Sequence, residues 1–320
     1  MNTLLKGLRP GVQMIMFVSI MLTCVGMGSV TAGLLGMVFF GIPLEQLPAV
    51  LSSPTTEYAT ALMWMNNVSQ LFSFGIPVLL FFLLFGGERI NRLMLNKGNF
   101  LVLLAPIVIV FSGSIVDLSS KLNNALIPAG SWLELQLKPT EALMEKMTSV
   151  FLGSQDLAGV LLAFFSIAVI PAILEEFTFR GVIQSLLAKI TRNIHVAIWL
   201  SAAIFSLIHF QFYGFLPRVL LGALLGYLVI WTGSIWASIL AHFTNNALAF
   251  VLYRIYQTTE TPEDSAMNQW YAHVLGLTIF TALVVHMIRN SKWPSIASEY
   301  LGVAEERKSQ SLNANNGLEI

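Results

Sequence analysis

Charge is scarce in this chain. Asp, Glu, Lys and Arg make up 11 % of its 320 residues, against 56 % hydrophobic ones. That excludes a water-soluble globular domain, whose surface needs far more charge. The charges also balance, 17 basic against 17 acidic, and no basic stripe interleaved with aromatics occurs, so nothing calls for nucleic acid as a partner. Cysteine is almost missing. Cys24 is the only one, which excludes an intramolecular disulfide and a thiolate metal cluster and leaves the redox compartment unreadable. His-Glu-x-x-His is absent, as are repeats of 20–50 residues and low-complexity tracts.

What the chain has instead is long uncharged intervals. No Asp, Glu, Lys or Arg falls between Arg9 and Glu45, Glu57 and Glu88, Lys97 and Asp117, Asp156 and Glu175, Arg192 and Arg218, Arg218 and Arg254, or Asp264 and Arg289. Each interval holds a stretch close to the roughly 20 residues that cross a bilayer as helix. The runs are continuously apolar, whereas barrel strands alternate over roughly 10 residues. The predicted fold is therefore all-α, a polytopic helix bundle in a lipid bilayer with about eight spans, near 12–40, 59–86, 98–117, 157–175, 194–211, 216–232, 234–256 and 270–289. Thr232-Gly233-Ser234 divides an interval too long for one span. The first run, after Lys6 and Arg9, exceeds a signal-peptide core and reads as a retained helix.

Basic residues gather at Lys6 and Arg9, at Arg89, Arg92 and Lys97, at Lys189 and Arg192, and at Arg289, Lys292, Arg307 and Lys308. Eight spans bring all four clusters to one side, which the positive-inside rule makes cytoplasmic, with both termini inside a cell inner membrane. The opposite connections carry Glu45, Glu57, Glu260, Glu263 and Asp264. Arg218 and Arg254 sit at outer span ends, where they are expected to snorkel. Residues 118–156, with Trp132, Leu133, Leu135 and Leu137, read either as amphipathic helices on the outer interface or as a plain connection. The tail 291–320, rich in Ser, Asn and charge, is expected to fray into solvent.

Polar groups inside such a bundle are informative, because a charge near the bilayer centre costs roughly 2.5–3.5 kcal/mol on insertion scales. Glu175 and Glu176 stand adjacent in lipid-type sequence, with Arg180 one turn on. On a helix Glu176 and Arg180 are i,i+4 partners, and Glu175, turned by about 100°, is left free. Phe205 and His209, then His242 and Asn246, repeat that spacing on later spans. Buried polar side chains must face one another or a wet cavity, so Glu175, His209, His242 and Asn246 are expected in one pocket. A buried carboxylate beside an imidazole can take a proton from water, and an amide N–H with a ring N–H can donate to the oxygen that turns negative when water attacks a peptide carbonyl. Arg180, held by Glu176, fixes the helix or contacts a substrate carboxylate. His195, His273 and His286 lie near span ends, and Asn66 and Asn67 read as interhelical hydrogen-bonders.

Glu-Glu-x-x-x-Arg, Phe-x-x-x-His and His-x-x-x-Asn, in this order on successive spans, resemble the three motifs of the CAAX-processing and bacteriocin-processing (CPBP, abortive-infection-type) intramembrane endopeptidases. Phe179-Arg180-Gly181, Gly222, Gly226 and Thr232-Gly233-Ser234 are similar too. The resemblance covers about residues 155–255. It implies a glutamate-dependent protease with Glu175 as general base, His209 as its partner in activating water, and His242 with Asn246 stabilising the oxyanion. Glu176 with Arg180 would be the supporting ion pair, and Phe205 would orient His209. It also implies a peptide or lipidated protein substrate, of the prenylated Cys-a-a-X type in eukaryotic members, cleaved near the cytoplasmic face with no cofactor. The chain then divides into helices 1–154 with an interfacial part near 118–154, a catalytic-like core 155–256, a last span 257–290 and a cytoplasmic tail 291–320. Three rivals stand beside it: a zinc metalloprotease using the two His and two Glu, a non-catalytic scaffold or bacteriocin-immunity factor, and a proton-relay transporter, which paired broken helices would have favoured.

Overall fold

The computed structural model describes Leu5 and residues 7–86, 100–258, 270–291 and 293–301. Lys6, Arg89, Arg92, Lys97, Glu260, Glu263, Asp264, Lys292, Arg307 and Lys308 lie outside the described residues. Every described element is helical. In chain order these are α1 (Pro10–Phe40), α2 (Thr56–Phe85), α3 (Phe100–Phe111), α4 (Gly113–Ala125), α5 (Trp132–Leu152), α6 (Leu157–Thr191), α7 (Ile194–Leu207), α8 (Phe212–Thr232), α9 (Ile235–Thr258), α10 (Trp270–Asn290) and α11 (Trp293–Tyr300). A short helix, Leu47–Ser52, lies between α1 and α2.

Six of these helices are long and apolar enough to cross a bilayer, and α3 with α4, bent by 44° where they meet, makes a seventh. The eighth expected span, α7, has 14 residues, about 21 Å of helix against a hydrocarbon core of about 30 Å. It ends at Leu207 rather than near 211 because the chain turns there: Phe210 adopts the left-handed φ of 53°. The fourth span does not stop at Glu175. Its helix runs on to Thr191, so the acidic pair lies at mid-helix. The break at Thr232-Gly233-Ser234 is where α8 ends, with Gly233 at φ 69° donating its N–H to the Val229 carbonyl.

α8 is the central helix. Over half of its apolar window (56 %) is buried, against 17 % for α1 and 6 % for α10, which turn most of their surface outward. α1 presents Ile15, Leu22, Val30 and Val38 outward, as lipid-facing residues do, and packs its small residues inward. α7 lies antiparallel to α8 around Ile198, Ala202, Val219 and Ala223. Gly222 makes this approach possible, since a Cβ there would meet the Ala202 backbone at 3.3 Å.

Residues 118–156 are mainly helical, not a plain connection. Ser131 caps α5 by accepting from the Glu134 N–H at 3.2 Å. Glu134 in turn accepts from the Gly130 N–H at 2.6 Å, a reciprocal cap of the kind expected from Ser-x-x-Glu. That hydrogen bond holds the Glu134 carboxyl below the usual range. Trp132, Leu133 and Leu135 remain exposed while Val150, Phe151 and Leu152 are buried. Arg254 does not snorkel. Its Nη1 donates to the carbonyls of Leu152 and Ser154, both at 2.8 Å, where the end of α5 offers carbonyl groups and a negative dipole end. The tail also departs from expectation. α11 and the following Leu301 dock on α8 and the end of α6 through Trp293, Ile296, Ala297 and Leu301, a helical apolar spacing that Ser and charge later in the tail obscure.

Candidate active site

The acidic pair sits between two widened π turns of α6, Phe165–Val169 and Phe177–Ile183. Such turns disturb the i to i−4 ladder and often mark functional sites. Side chains from other helices use carbonyls of the first one: Gln70 Nε2 donates to the Ser166 carbonyl and Asn246 Nδ2 to that of Ile167, each at 3.2 Å. α2, α6 and α9 are thereby tied together at the level of the site.

Glu176 is fully buried and committed. Its Oε1 accepts from Arg180 Nη1 at 2.6 Å and from His242 Nδ1 at 2.9 Å. The guanidinium, 1 % exposed, also donates from Nη2 to the Gly222 carbonyl at 2.9 Å and lies 5.0 Å over the Phe205 ring. A carboxylate ion-paired in this way only accepts, so His242 Nδ1 carries a proton and directs Nε2 toward Glu175. Oε2 of Glu175 is 3.9 Å from that Nε2. Among the described residues Glu175 itself has no such partner at hydrogen-bond distance.

His209 lies beyond the end of α7, not on its face. Its Nδ1 donates to the Phe205 carbonyl at 2.7 Å; a carbonyl cannot donate, so the neutral ring keeps its lone pair on Nε2. The Phe205 ring packs at 4.9 Å from the His209 ring, 5.9 Å from His242 and 5.0 Å from Phe179.

Glu175, His209, His242 and Asn246 line one cavity of about 590 Å³. Four of the six residues singled out in the sequence therefore share its wall, while Glu176 and Arg180 stand behind it. Asn246 is less free than expected, since one amide N–H goes to Ile167 and its Oδ1 accepts from Asn245 at 3.2 Å; the second N–H is left for a ligand. Asn66 also lines the cavity rather than only bridging helices, and Gln70, Gln211, Arg218 and Asn245 join it unforeseen. Of these only Arg218, a lone charge between two apolar intervals, carries a signal in the sequence, and it does not snorkel. Its guanidinium instead turns to Gln211 in the cavity wall. His195 bonds Tyr227 at 2.9 Å, and His273 lies 3.7 Å from Asp117, both away from this wall.

Among the described residues no three His, Cys, Asp or Glu side chains are grouped to hold a metal ion, and Glu176 and His242 Nδ1 are already bound to each other beside a guanidinium.

Residues 157–248 match the family described as Type II CAAX prenyl endopeptidase Rce1-like. The chain is also similar to the uncharacterized protein YpbD of Bacillus subtilis (strain 168), 31 % identical over 81 residues. That alignment takes in 24 % of this chain and 38 % of YpbD. No solved structure matches. The matched segment begins with α6 and ends in α9, so it contains all three motifs and every cavity-lining group contributed by them. Residues 157–248 thus match the Rce1-like CAAX prenyl endopeptidase family model, in agreement with the CPBP-type resemblance of the three motifs.

Proposed function

We propose that this protein hydrolyses a peptide bond of a membrane-associated peptide or protein tail with water activated by Glu175 and His209. The observation that carries the reading is His242, bonded to Glu176 and 3.9 Å from Glu175, in the cavity that also receives His209 and Asn246. Glu175 is the one carboxylate of the pair left to act as a base, and His209 Nε2 is a second acceptor for the same water. The water oxygen attacks the carbonyl carbon as Glu175 takes its proton. The carbonyl oxygen becomes negative and accepts from the second N–H of Asn246. It accepts also from His242 Nε2 when that nitrogen carries a proton. Collapse breaks the C–N bond, and the proton held by Glu175 passes to the leaving amine. Arg180 and Glu176 act through position: they fix His242 and keep Glu175 turned to the cavity.

The cavity runs from the connection before α8, at Gln211 and Gly214, down to Glu175 and His242. That end of the bundle also carries α5. We take that end as non-cytoplasmic from the Lys and Arg bias, and substrate entry from there stands as an alternative to cleavage near the cytoplasmic face. The family's name adds prenylated Cys-a-a-X tails as a candidate substrate, to be compared with unmodified peptides. The test is peptide cleavage in reconstituted bilayers by wild type, Glu175→Ala and His209→Ala, each with and without chelator. We expect loss of roughly 10²-fold or more in both variants and no effect of chelator. Equal turnover by all three overturns the enzyme reading, and chelator inhibition reversed by zinc overturns the metal-free one.

A further inference from the structure

Among the described residues, Arg218 is the only Lys or Arg that lines the cavity, and the water-activating chemistry does not use it. A guanidinium buried in a membrane bundle is costly unless it is paired or has a task. Its contacts are to neutral acceptors: Nη1 donates to the Gln211 carbonyl and Nη2 to Gln211 Oε1, both at 3.1 Å. These use two of five N–H donors and hold the fork in place without neutralising it. Gly214 leaves room for that placement, because a Cβ there would stand 3.1 Å from Nη2. Glu141 and Glu175 lie within electrostatic reach, yet neither is among the residues in ion-pair contact with it. Along α8, Arg218 is four residues before Gly222, whose carbonyl binds Arg180. The backbone of Arg218 is therefore about one turn, roughly 6 Å along the axis, from the residue whose carbonyl binds Arg180.

We infer that Arg218, oriented by Gln211, is a specificity residue that binds a carboxylate on the substrate within a few residues of the scissile bond. A planar fork with free N–H groups matches a carboxylate better than any other peptide group. Two sources present that chemistry, the C-terminal carboxylate of a short tail and an Asp or Glu side chain. This inference rests on the proteolytic reading for its kinetic consequence but not for binding.

The experiment compares three versions of one peptide: free acid, C-terminal amide, and amide with a single Glu moved along the sequence. Wild type should prefer one carboxylate form over the plain amide by roughly tenfold in kcat/KM, chiefly through KM. Which form it prefers identifies the source. Arg218→Gln should bring that ratio toward one, and Arg218→Lys, a point charge, should retain part of it. The same peptides bound to Glu175→Gln, which does not turn over, should show the same ranking in Kd, lost on adding Arg218→Gln. No preference in wild type, or an unchanged ratio in Arg218→Gln, overturns the assignment. Ranked binding without any hydrolysis would retain Arg218 as a carboxylate site while removing the protease reading.

Discussion

Glu175 and Glu176 are neighbours in sequence with opposite employment. Glu176 is locked between Arg180 and His242, and Glu175 faces the cavity. Their substitutions should therefore separate stability from turnover. Glu176→Gln leaves the buried Arg180 guanidinium without its counter-charge, and breaking a buried pair from one side costs about 3–5 kcal/mol. The expected result is a clear fall in Tm in detergent, with activity lost alongside. Under the proposed mechanism Glu175→Gln removes only the base: Tm should stay near wild type while kcat falls roughly 10²–10⁴-fold. A large loss of Tm in Glu175→Gln with a stable Glu176→Gln would reverse the two roles.

At the scale of elements, the site depends on two unusual helices. α6 carries π turns on both sides of the acidic pair, and Gln70 and Asn246 bind carbonyls of the first one. α8 carries Gly222, which lets α7 come close and offers its carbonyl to Arg180. Gly222→Ala places a methyl 3.2 Å from the Ala202 side chain and 3.3 Å from its backbone. Overpacking of this kind costs about 1–3 kcal/mol, and here it pushes α7 away with Phe205 and His209. We expect a lowered Tm and a kcat loss greater than the stability change accounts for, measured on the folded fraction. An unchanged kcat would mean that the α7–α8 spacing does not position His209. The long uncharged apolar runs made α6, α8 and α9 legible as helices. They could not reveal the π turns, nor the stop at Leu207, which is set by the left-handed turn at Phe210.

For the whole molecule, the central question is which face of the membrane the cavity meets. Cys24 is the lone cysteine and is buried, so a Cys24→Ser background carries single reporters cleanly. Gln155→Cys marks the α5 end and Asn290→Cys the end of α10 near Arg289. On intact cells a membrane-impermeant maleimide should label the first and reach the second only after permeabilisation. The reverse pattern would turn the cavity toward the cytoplasm and restore access for cytoplasmic tails.

Composition and spacing determined that this is a membrane helix bundle and singled out Glu175, Glu176, Arg180, His209, His242 and Asn246 as polar groups within it, four of which line one cavity. That is because hydrophobic length and i,i+4 spacing are local properties written along one helix. Which side chains share a wall is not local. The pairing of His242 with Glu176, the anchoring of Asn246 on Ile167, and the inward turn of Arg218 and Arg254 follow from helices distant in sequence supplying carbonyls and charges to one another. Only the packed structure decides those partners.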